Sequence, residues 1–228
     1  MPTILPPKVI FVDGFNTVGK DYFIESLQKA LPLPVVVTDP REWLPTFQQN
    51  KRYWDFVYRN MDENTDIFNA HYRHLKSLRE LLGDTQAGDR VLVTNRSFVS
   101  ALNYNLPPKQ HKGRRTGGDD RVRKSYLDLY KTLIQTELKG VPTLMVNLCQ
   151  FHNASNFQTP TDNVEEVRGR MRVRDPEVLM NDFYLDYLID AYQNPAPEVK
   201  QLYTHWEDAR SGDAGKIVQK YFTGRKDQ

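Results

Sequence analysis

The sequence predicts an α/β protein built on a doubly wound parallel sheet of about five strands, with helices on both faces. Short runs of β-branched and aromatic residues without polar alternation recur along the chain, as in strands that are buried on both sides. Segments with apolar residues at helical spacing lie between these runs. This alternation of strand and helix is typical of parallel sheets, because parallel neighbours need a crossover connection.

The first strand, turn and helix are contiguous in the sequence. Val9 to Asp13 is an apolar run that predicts a central strand, and the turn from Gly14 to Gly19 ends it. A helix is predicted from Lys20, and Pro32 stops it. A second strand is expected at Pro34 to Thr38, so the chain opens with a β-α-β unit whose strands run parallel.

The remaining elements repeat this order. Residues 41–64 are polar and aromatic, and we interpret them as one or two short helices over a cleft. Further elements are predicted from periodicity and turn residues. They are a helix at Ile67 to Leu82, a strand at Val91 to Thr94, a basic loop at Pro107 to Gly118, a helix at Asp119 to Leu138, strands at Thr143 to Leu148 and Gln201 to His205, and a helix at Ala214 to Tyr221.

Composition excludes several classes of protein. The 228 residues fit a single domain over 1–228, and the lone Cys149 excludes an intrachain disulfide and a zinc site with paired cysteines. There is no secretory signal pattern and no apolar run long enough to span a bilayer, so we expect a soluble, cytoplasmic protein. A net charge of +2 is too close to balance to require a nucleic-acid partner.

Residues 14 to 20 read G-F-N-T-V-G-K and satisfy the pattern G-x-x-x-x-G-K, with a strand predicted before and a helix after. Glycines let backbone N–H groups point at a polyphosphate, and the lysine reaches its outer phosphates. The alternative is a tight turn with a solvated lysine, and spacing and context together favour the phosphate cradle. The candidate nucleotide-binding residues are Gly14, Asn16, Thr17, Val18, Gly19, Lys20 and Asp21.

Asp21 stands where a hydroxyl residue that ligates Mg²⁺ usually follows the lysine. A carboxylate is also a hard oxygen ligand, so Asp21 is our candidate metal ligand, directly or through water. An added anion beside a triphosphate also repels it unless a metal or basic groups intervene. Weak or lost nucleotide binding is therefore an open alternative.

Two further strand ends carry polar residues. Thr38 to Trp43 follows the second strand, and Thr94 to Ser97 ends the third. Ligands of open parallel sheets bind beyond the carboxyl ends of the strands. Both stretches should therefore face the same crevice as the phosphate cradle.

With these residues the chain resembles the deoxynucleoside kinases and, more distantly, the thymidylate kinases, which are P-loop kinases with a three-layer fold. Asp39, Pro40 and Trp43 are similar to the family's carboxylate, proline and tryptophan, although Trp43 is one residue closer. The resemblance implies that Asp39 is the base that accepts the proton of the attacking hydroxyl. It also implies ATP as phosphoryl donor and Mg²⁺ as cofactor.

Asn95, Arg96 and Ser97 resemble the family's acidic residue, arginine and serine, with the acid replaced. The resemblance makes Arg96 catalytic and places Asn95 and Arg96 among the substrate-binding residues, with Trp43. Because the family's acid lies near the metal, we expect its replacement by Asn95 to be linked to the gain of Asp21.

The resemblance extends to a helix and a lid. Asn69 is the nearest match to the family's base-reading amide, with Tyr72 beside it, and the alternative is that Asn69 is simply exposed and His71 borders the core. An arginine-rich lid is expected at about 156–180. It carries Arg168, Arg170, Arg172 and Arg174. On a helix Arg168 with Arg172, or Arg170 with Arg174, would share one face, and spacing does not decide between these pairs. Arg168 and Arg172 are our candidate catalytic residues, because an arginine can hold phosphate oxygens with two hydrogen bonds.

The function that this pattern predicts is transfer of the γ-phosphoryl group of ATP to a deoxynucleoside or deoxynucleoside monophosphate. One alternative is a kinase of hydroxymethylated bases in DNA, because the segment 109–124 is basic and would offer phosphate contacts. Another is a non-catalytic nucleotide-binding protein, suggested by Asp21 and Asn95. A homodimer is possible, because homodimers occur in the families that the chain resembles.

Overall fold

The computed structural model describes residues 5–15, 18–43, 61–84, 88–105, 110–111, 114–115, 119–149, 169, 173, 182–208 and 214–223. Among these residues, no helix combines the length and the apolar character needed to cross a membrane. Cys149 is buried and, as the single cysteine of the sequence, forms no intrachain disulfide.

Five parallel strands form the central sheet, in the order β2-β3-β1-β6-β7, and a separate antiparallel ladder joins β4 to β5. This confirms the predicted α/β class with a parallel sheet. The strands in the described part of the chain are β1 (Val9–Gly14), β2 (Val35–Thr38), β3 (Val91–Asn95), β4 (Gln110–His111), β5 (Arg114–Arg115), β6 (Thr143–Cys149) and β7 (His205–Asp208).

The helices lie in two layers. α1 packs against α7 on one face of the sheet, and α2, α3, α4 and α5 lie on the other, as right-handed crossovers require for this strand order. The described helices are α1 (Lys20–Ala30), α2 (Met61–Gly83), α3 (Phe98–Asn105), α4 (Asp120–Glu137), α5 (Asp182–Gln193), α6 (Pro197–Lys200) and α7 (Gly215–Phe222), with a short 3-10 helix at Pro40–Trp43.

The central strand β1 explains why the sheet is stable and where its site lies. Val9, Ile10, Phe11 and Val12 are 0 to 1% exposed, because neighbouring strands flank β1 and helices cover both of its faces. The chain leaves β1 toward α1 on one face and leaves β3 toward α3 on the other. The crevice at the carboxyl ends of β1 and β3 is therefore the topological switch point at which such sheets bind ligands.

The last strand was predicted at the wrong residues. The expected strand Gln201 to His205 begins with a turn at Gln201 and Leu202, and β7 begins only at His205. The N–H groups of Gln201 and Tyr203 donate to the carbonyls of Pro197 and Lys200, at 3.1 and 3.2 Å, so α6 continues as a turn. The apolar pair Leu202 and Tyr203 is typical of a strand, but this local bonding decides its conformation.

Two helices exceed what the sequence predicts. α2 begins at Met61 instead of Ile67, because its first turns are polar and give no apolar stripe. α3 has no counterpart in the prediction. Its residues from Phe98 to Tyr104 are all buried, so the helix lacks the polar face from which helical spacing is read.

Candidate functional site

The turn between β1 and α1 requires its two glycines. Gly14 has φ +152°, and a Cβ there would lie 2.8 Å from Val18 Cγ1 and 2.9 Å from the carbonyl oxygen of Leu148. Gly19 has φ +101° at the N-cap of α1, a left-handed conformation that glycine adopts without strain. Val18 is buried and its N–H lies 3.4 Å from the carbonyl of Phe15, so the turn folds back on itself.

Lys20 is directed into this turn and not toward solvent. Its side chain is buried, with 6% exposure, and Nζ donates to the carbonyl oxygens of Gly14 and Phe15, each at 2.8 Å. A solvated lysine would not be held in this way. The ammonium therefore lies against the carbonyls of Gly14 and Phe15, beside the N-terminus of α1, where it would meet the oxygens of a phosphate bound there.

Asp21 and Asn95 are in contact, as the sequence suggests. Asn95 Nδ2 donates to Asp21 Oδ1 at 3.2 Å, across the switch point from β3 to the first turn of α1. Asn95 Oδ1 is buried and has no hydrogen-bond partner in the part of the chain that the structure describes. The Asp21 carboxylate is a ligand that Mg²⁺ prefers, whereas the Asn95 amide faces it with its nitrogen and would offer its oxygen after rotating.

No cluster of three or more His, Cys, Asp or Glu side chains suited to a metal occurs among the described residues. Mg²⁺ in phosphoryl-transfer sites uses one or two protein ligands together with phosphate oxygens and water. Asp21 and Asn95 are consistent with such a site.

Arg96 adopts a strained backbone conformation. Its φ of +88° makes it the non-glycine residue with positive φ in the described part of the chain, and such strain clusters at functional sites. The side chain is 7% exposed, and its guanidinium carbon lies 5.7 Å from the ring centroid of Tyr104. The structure thus places a buried cation directly after the carboxyl end of β3.

Asp13 is a site residue that the sequence analysis missed. It lies at the end of β1, just before Gly14, and its carboxylate is fully buried. It accepts hydrogen bonds from the Ser97 N–H at 2.8 Å, from Ser97 Oγ, and from Ser100 Oγ at 2.6 Å. Tyr192 Oη in turn donates to Ser100 Oγ at 3.0 Å. Burial, with Tyr104 and Asp13 nearby, raises the pKa of Tyr192 well above its usual value, so that hydroxyl stays a donor.

Asp39 lies at the end of β2 and is already bonded. Arg41 Nε donates to both carboxylate oxygens, at 3.0 and 2.9 Å, and Arg41 Nη2 lies 2.5 Å from Oδ2. The Arg41 N–H also donates to Oδ1, which caps the 3-10 helix. The Asp39 side chain is 15% exposed and that of Arg41 is 44% exposed, so the pair opens toward solvent. Trp43, on the same 3-10 helix, is 38% exposed.

Two histidines of α2, instead of Asn69, face the strand ends. His74 Nε2 is hydrogen-bonded to Thr38 Oγ1 at 2.9 Å, and burial lowers the pKa of His74 to about 4 although Asp39 raises it. Burial lowers the pKa of His71 well below its usual value, and His74 and Arg96 add to this effect. Both rings are therefore neutral at pH 7.

Asn69 is exposed on the opposite side of α2 from these histidines. Tyr72 is half-buried, and Lys76 Nζ lies 4.6 Å from the centroid of its ring. The structure does not bring Asn69 together with Asp39 and Arg96, and its role in reading a base stays a prediction.

No protein-family model matches this chain, and no curated protein matches it by sequence. Solved structures do match its fold. A thymidylate kinase from Candida albicans superposes with a TM-score of 0.56 at 15% identity, covering 94% of this chain and 92% of the other. This chain therefore shares its α/β fold with that thymidylate kinase.

Two other matches are weaker and add nothing to the fold assignment. Deoxyadenosine kinase from M. mycoides has a TM-score of 0.47 at 13% identity, with 95% of this chain and 100% of the other covered. The YorR protein from Bacillus subtilis, solved in complex with phosphorylated GDP, has a TM-score of 0.46 at 13% identity, with 92% of each chain covered.

Several of the predicted site residues lie outside the described part of the chain. They are Asn16, Thr17, Arg168 and Arg172, together with most of the predicted lid. The basic segment 109–124 is described only in part. Within it, Arg123 donates to the carbonyl of Leu102 at 2.8 Å and to Asn103 Oδ1 at 2.9 Å, and Lys124 pairs with Asp128. These two cations are thus engaged within the protein.

Proposed function

We propose that the chain is an ATP- and Mg²⁺-dependent phosphotransferase that moves the γ-phosphoryl group to a deoxynucleoside or deoxynucleoside monophosphate. The observation that carries this proposal is the buried Lys20, whose ammonium lies inside the glycine turn between the central strand and α1. A turn of this shape at a helix N-terminus is suited to a polyphosphate. The P-loop kinase fold is consistent with it.

We assign a role to each candidate residue. The backbone of residues 14–20 and Lys20 would hold the β- and γ-phosphates of ATP. Asp21 and Asn95 would hold Mg²⁺, which when bound neutralises charge on the phosphate oxygens. Arg96 would stabilise the charge that develops on the transferred group, and lid arginines Arg168 and Arg172 would assist it.

Asp39 distinguishes the two acceptor classes. For a nucleoside, the hydroxyl oxygen bonds to the γ-phosphorus, the bond from that phosphorus to the bridging oxygen breaks, ADP leaves, and Asp39 takes the hydroxyl proton. For this role Asp39 must exchange its contacts with Arg41 for the hydroxyl. A monophosphate needs no base. Arg41 and Arg96 would instead offer it two cations.

The proposal is tested by single-turnover transfer of labelled phosphate from ATP to a panel of nucleosides and nucleoside monophosphates with Mg²⁺. We expect transfer to at least one deoxynucleoside or its monophosphate. Binding of ATP without transfer to any acceptor would instead support a non-catalytic nucleotide-binding protein. Labelling of hydroxymethylated DNA alone would support the DNA kinase alternative.

Variants then assign the roles. Lys20→Met should abolish transfer, whereas Lys29→Met, at an exposed lysine in the last turn of the same helix, should leave it unchanged. Asp39→Asn should lower kcat for nucleosides by on the order of 10² or more, the usual contribution of a general base, and should spare monophosphates. Unchanged nucleoside transfer by Asp39→Asn would exclude Asp39 as the base.

A further inference from the structure

We propose that Asp13 is a positioning residue for Arg96: its buried carboxylate holds the peptide that follows Arg96 and so fixes the guanidinium beside Tyr104. The consequence for catalysis rests on the proposed function, whereas the structural link does not. Asp13 itself touches neither the phosphates nor the acceptor in this scheme.

Arg96 needs such support because of its backbone. A φ of +88° brings the Cβ of an L-residue close to its own backbone, and a long side chain adopts this region only where the surroundings hold it. The direction of the Arg96 side chain depends on this conformation. Relaxation to a negative φ would turn the guanidinium away from its present place.

Three hydrogen bonds hold the conformation from different sides. The Arg96 N–H donates to the carbonyl of Val12 at 3.0 Å, and Thr94 Oγ1 donates to the Arg96 carbonyl at 3.0 Å. The peptide after Arg96 is held by Asp13, since the Ser97 N–H donates to Asp13 Oδ1 at 2.8 Å. Of the three, this bond has a carboxylate acceptor, and charge-assisted bonds are the stronger kind.

Asp13 is itself fixed in place. The hydroxyls of Ser97 and Ser100 donate to its two oxygens, and Tyr192 extends the chain of donors from α5. The carboxylate also lies at the N-terminus of α3, where negative charge is favoured. Asp13 is next to Gly14 in sequence. Asp13 therefore connects the phosphate loop, which would hold the phosphoryl donor, with Arg96, which would act on the transferred group and the acceptor.

A purely structural role is the competing interpretation, in which Asp13 only anchors α3 to β1. The two roles differ in what a substitution changes. An anchor affects stability whatever residue stands at position 96. A positioning residue loses its effect on catalysis once the Arg96 side chain is removed.

The test is a double-mutant cycle on kcat/KM for the acceptor with Asp13→Asn, Arg96→Ala and the double variant. Asn offers one acceptor oxygen for the donors that Asp13 satisfies, and it lacks the charge. We expect Asp13→Asn to lower kcat/KM about three- to tenfold, and Asp13→Ala to lower it about 10²-fold, the scale of a misplaced catalytic group. In the Arg96→Ala background, Asp13→Asn should change kcat/KM by less than about twofold.

The NMR signal of the Arg96 Nε–Hε group, assigned by its absence in Arg96→Ala, gives a readout that needs no activity. The chemical shift of this group should change in Asp13→Asn. Thr204→Val is the matched control, because it removes a part-buried hydrogen bond to Met145 at the other end of β6 and should leave both the signal and kcat/KM unchanged.

The outcomes separate the two proposals. The positioning role would be overturned if the effects of the two single substitutions on kcat/KM simply multiply in the double variant. It would also be overturned if the Arg96 Nε–Hε chemical shift is unchanged in Asp13→Asn. A moved signal in a protein without any transfer activity would support that role while removing the proposed function. If Asp13→Ala fails to fold, Asp13→Asn decides the question alone.

Discussion

Gly14 and Arg96 both hold positive φ angles at the switch point, and they tolerate them for different reasons. Gly14 has no Cβ, and the space that a Cβ would need is occupied by Val18 and by the Leu148 carbonyl. Arg96 does have a side chain, so the conformation must be maintained by the groups bonded around it. The positive φ of Gly14 is thus explained by the lack of space for a Cβ, and that of Arg96 by the hydrogen bonds around it.

Gly14→Ala should therefore lower the free energy of unfolding by about 2 to 4 kcal/mol, from backbone strain and overpacking together. Gly83→Ala is the matched control, since nothing lies within 4 Å of its Cβ position and it ends α2, so a stabilisation of up to about 1 kcal/mol is expected. Urea unfolding measures both. Equal stability of the two variants would contradict the crowding at Gly14.

His74 predicts a dependence of stability on pH. Its pKa is about 4 when folded, below the usual value of 6.5, so the unfolded chain binds more protons between these values. The contribution of neutral His74 to the free energy of unfolding is fully present above pH 6.5 and is lost as the pH falls toward 4. Between pH 7 and pH 5 this histidine alone should lower the free energy of unfolding by about 2 kcal/mol.

His74→Gln should reduce that dependence, because glutamine can keep a contact with Thr38 without titrating. Ser77→Ala, which removes a hydrogen bond on the same helix, should shift the stability but keep its pH slope. Urea unfolding at pH 7 and pH 5 compares the three proteins. A wild-type slope retained in His74→Gln would show that His74 is not the titrating group.

At the scale of elements, the parts of the site that are local in sequence could be predicted and the parts that join distant segments could not. β1, the glycine turn and α1 follow from one stretch of spacing, and the pairing of Asp21 with Asn95 follows from two departures from a motif. The contact between Asp13 and Ser97 spans 84 positions. Nothing in spacing identifies such a partner, because a buried aspartate looks like any strand-ending polar residue.

The bonded state of Asp39, in contrast, could have been predicted. Its match to a family carboxylate indicates a base, but the guanidinium that holds it lies only two residues ahead and could have been noticed from an Asp-Pro-Arg turn. Two helices show a similar contrast. α3 could not be predicted from periodicity because it is buried on every side, whereas α4 has a regular apolar stripe and a recognisable N-cap.

The start of α4 gives a prediction at this scale. Asp119 has extended backbone dihedrals and accepts hydrogen bonds from the N–H groups of Arg121, at 2.8 Å, and Val122, at 3.2 Å, which is an N-cap. Asp119→Ala should cost about 1 kcal/mol of stability, and Asp119→Asn only a few tenths. Thermal unfolding of the two variants checks this, and equal losses would mean that charge, not capping, stabilises the helix.

At the scale of the whole molecule, the sheet order concentrates both stability and chemistry on one strand. β1 lies in the middle of five strands and carries the phosphate loop at its end, with Asp13 beside it. The same burial that makes its side chains the centre of the core fixes the position of the site.

Ile10→Ala should therefore cost about 2 to 5 kcal/mol, because Ile10 is fully buried and pairs with Val93 and Leu144 on both sides. Leu129→Ala, at a residue of α4 that is 47% exposed, should change stability by less than about 0.5 kcal/mol. Denaturant titration of both variants tests this. A small loss in Ile10→Ala would contradict the central place of β1.

The inward direction of Lys20 affects how any inactive variant should be interpreted. Its ammonium holds two carbonyl oxygens of its own turn. Deleting that charge leaves these oxygens without their donor, so the turn can change shape before any nucleotide is added. A loss of transfer in Lys20→Met would then mean either that the phosphate contact is missing or that the turn has changed shape. An activity assay does not separate these two causes, and a crystal structure of the variant does.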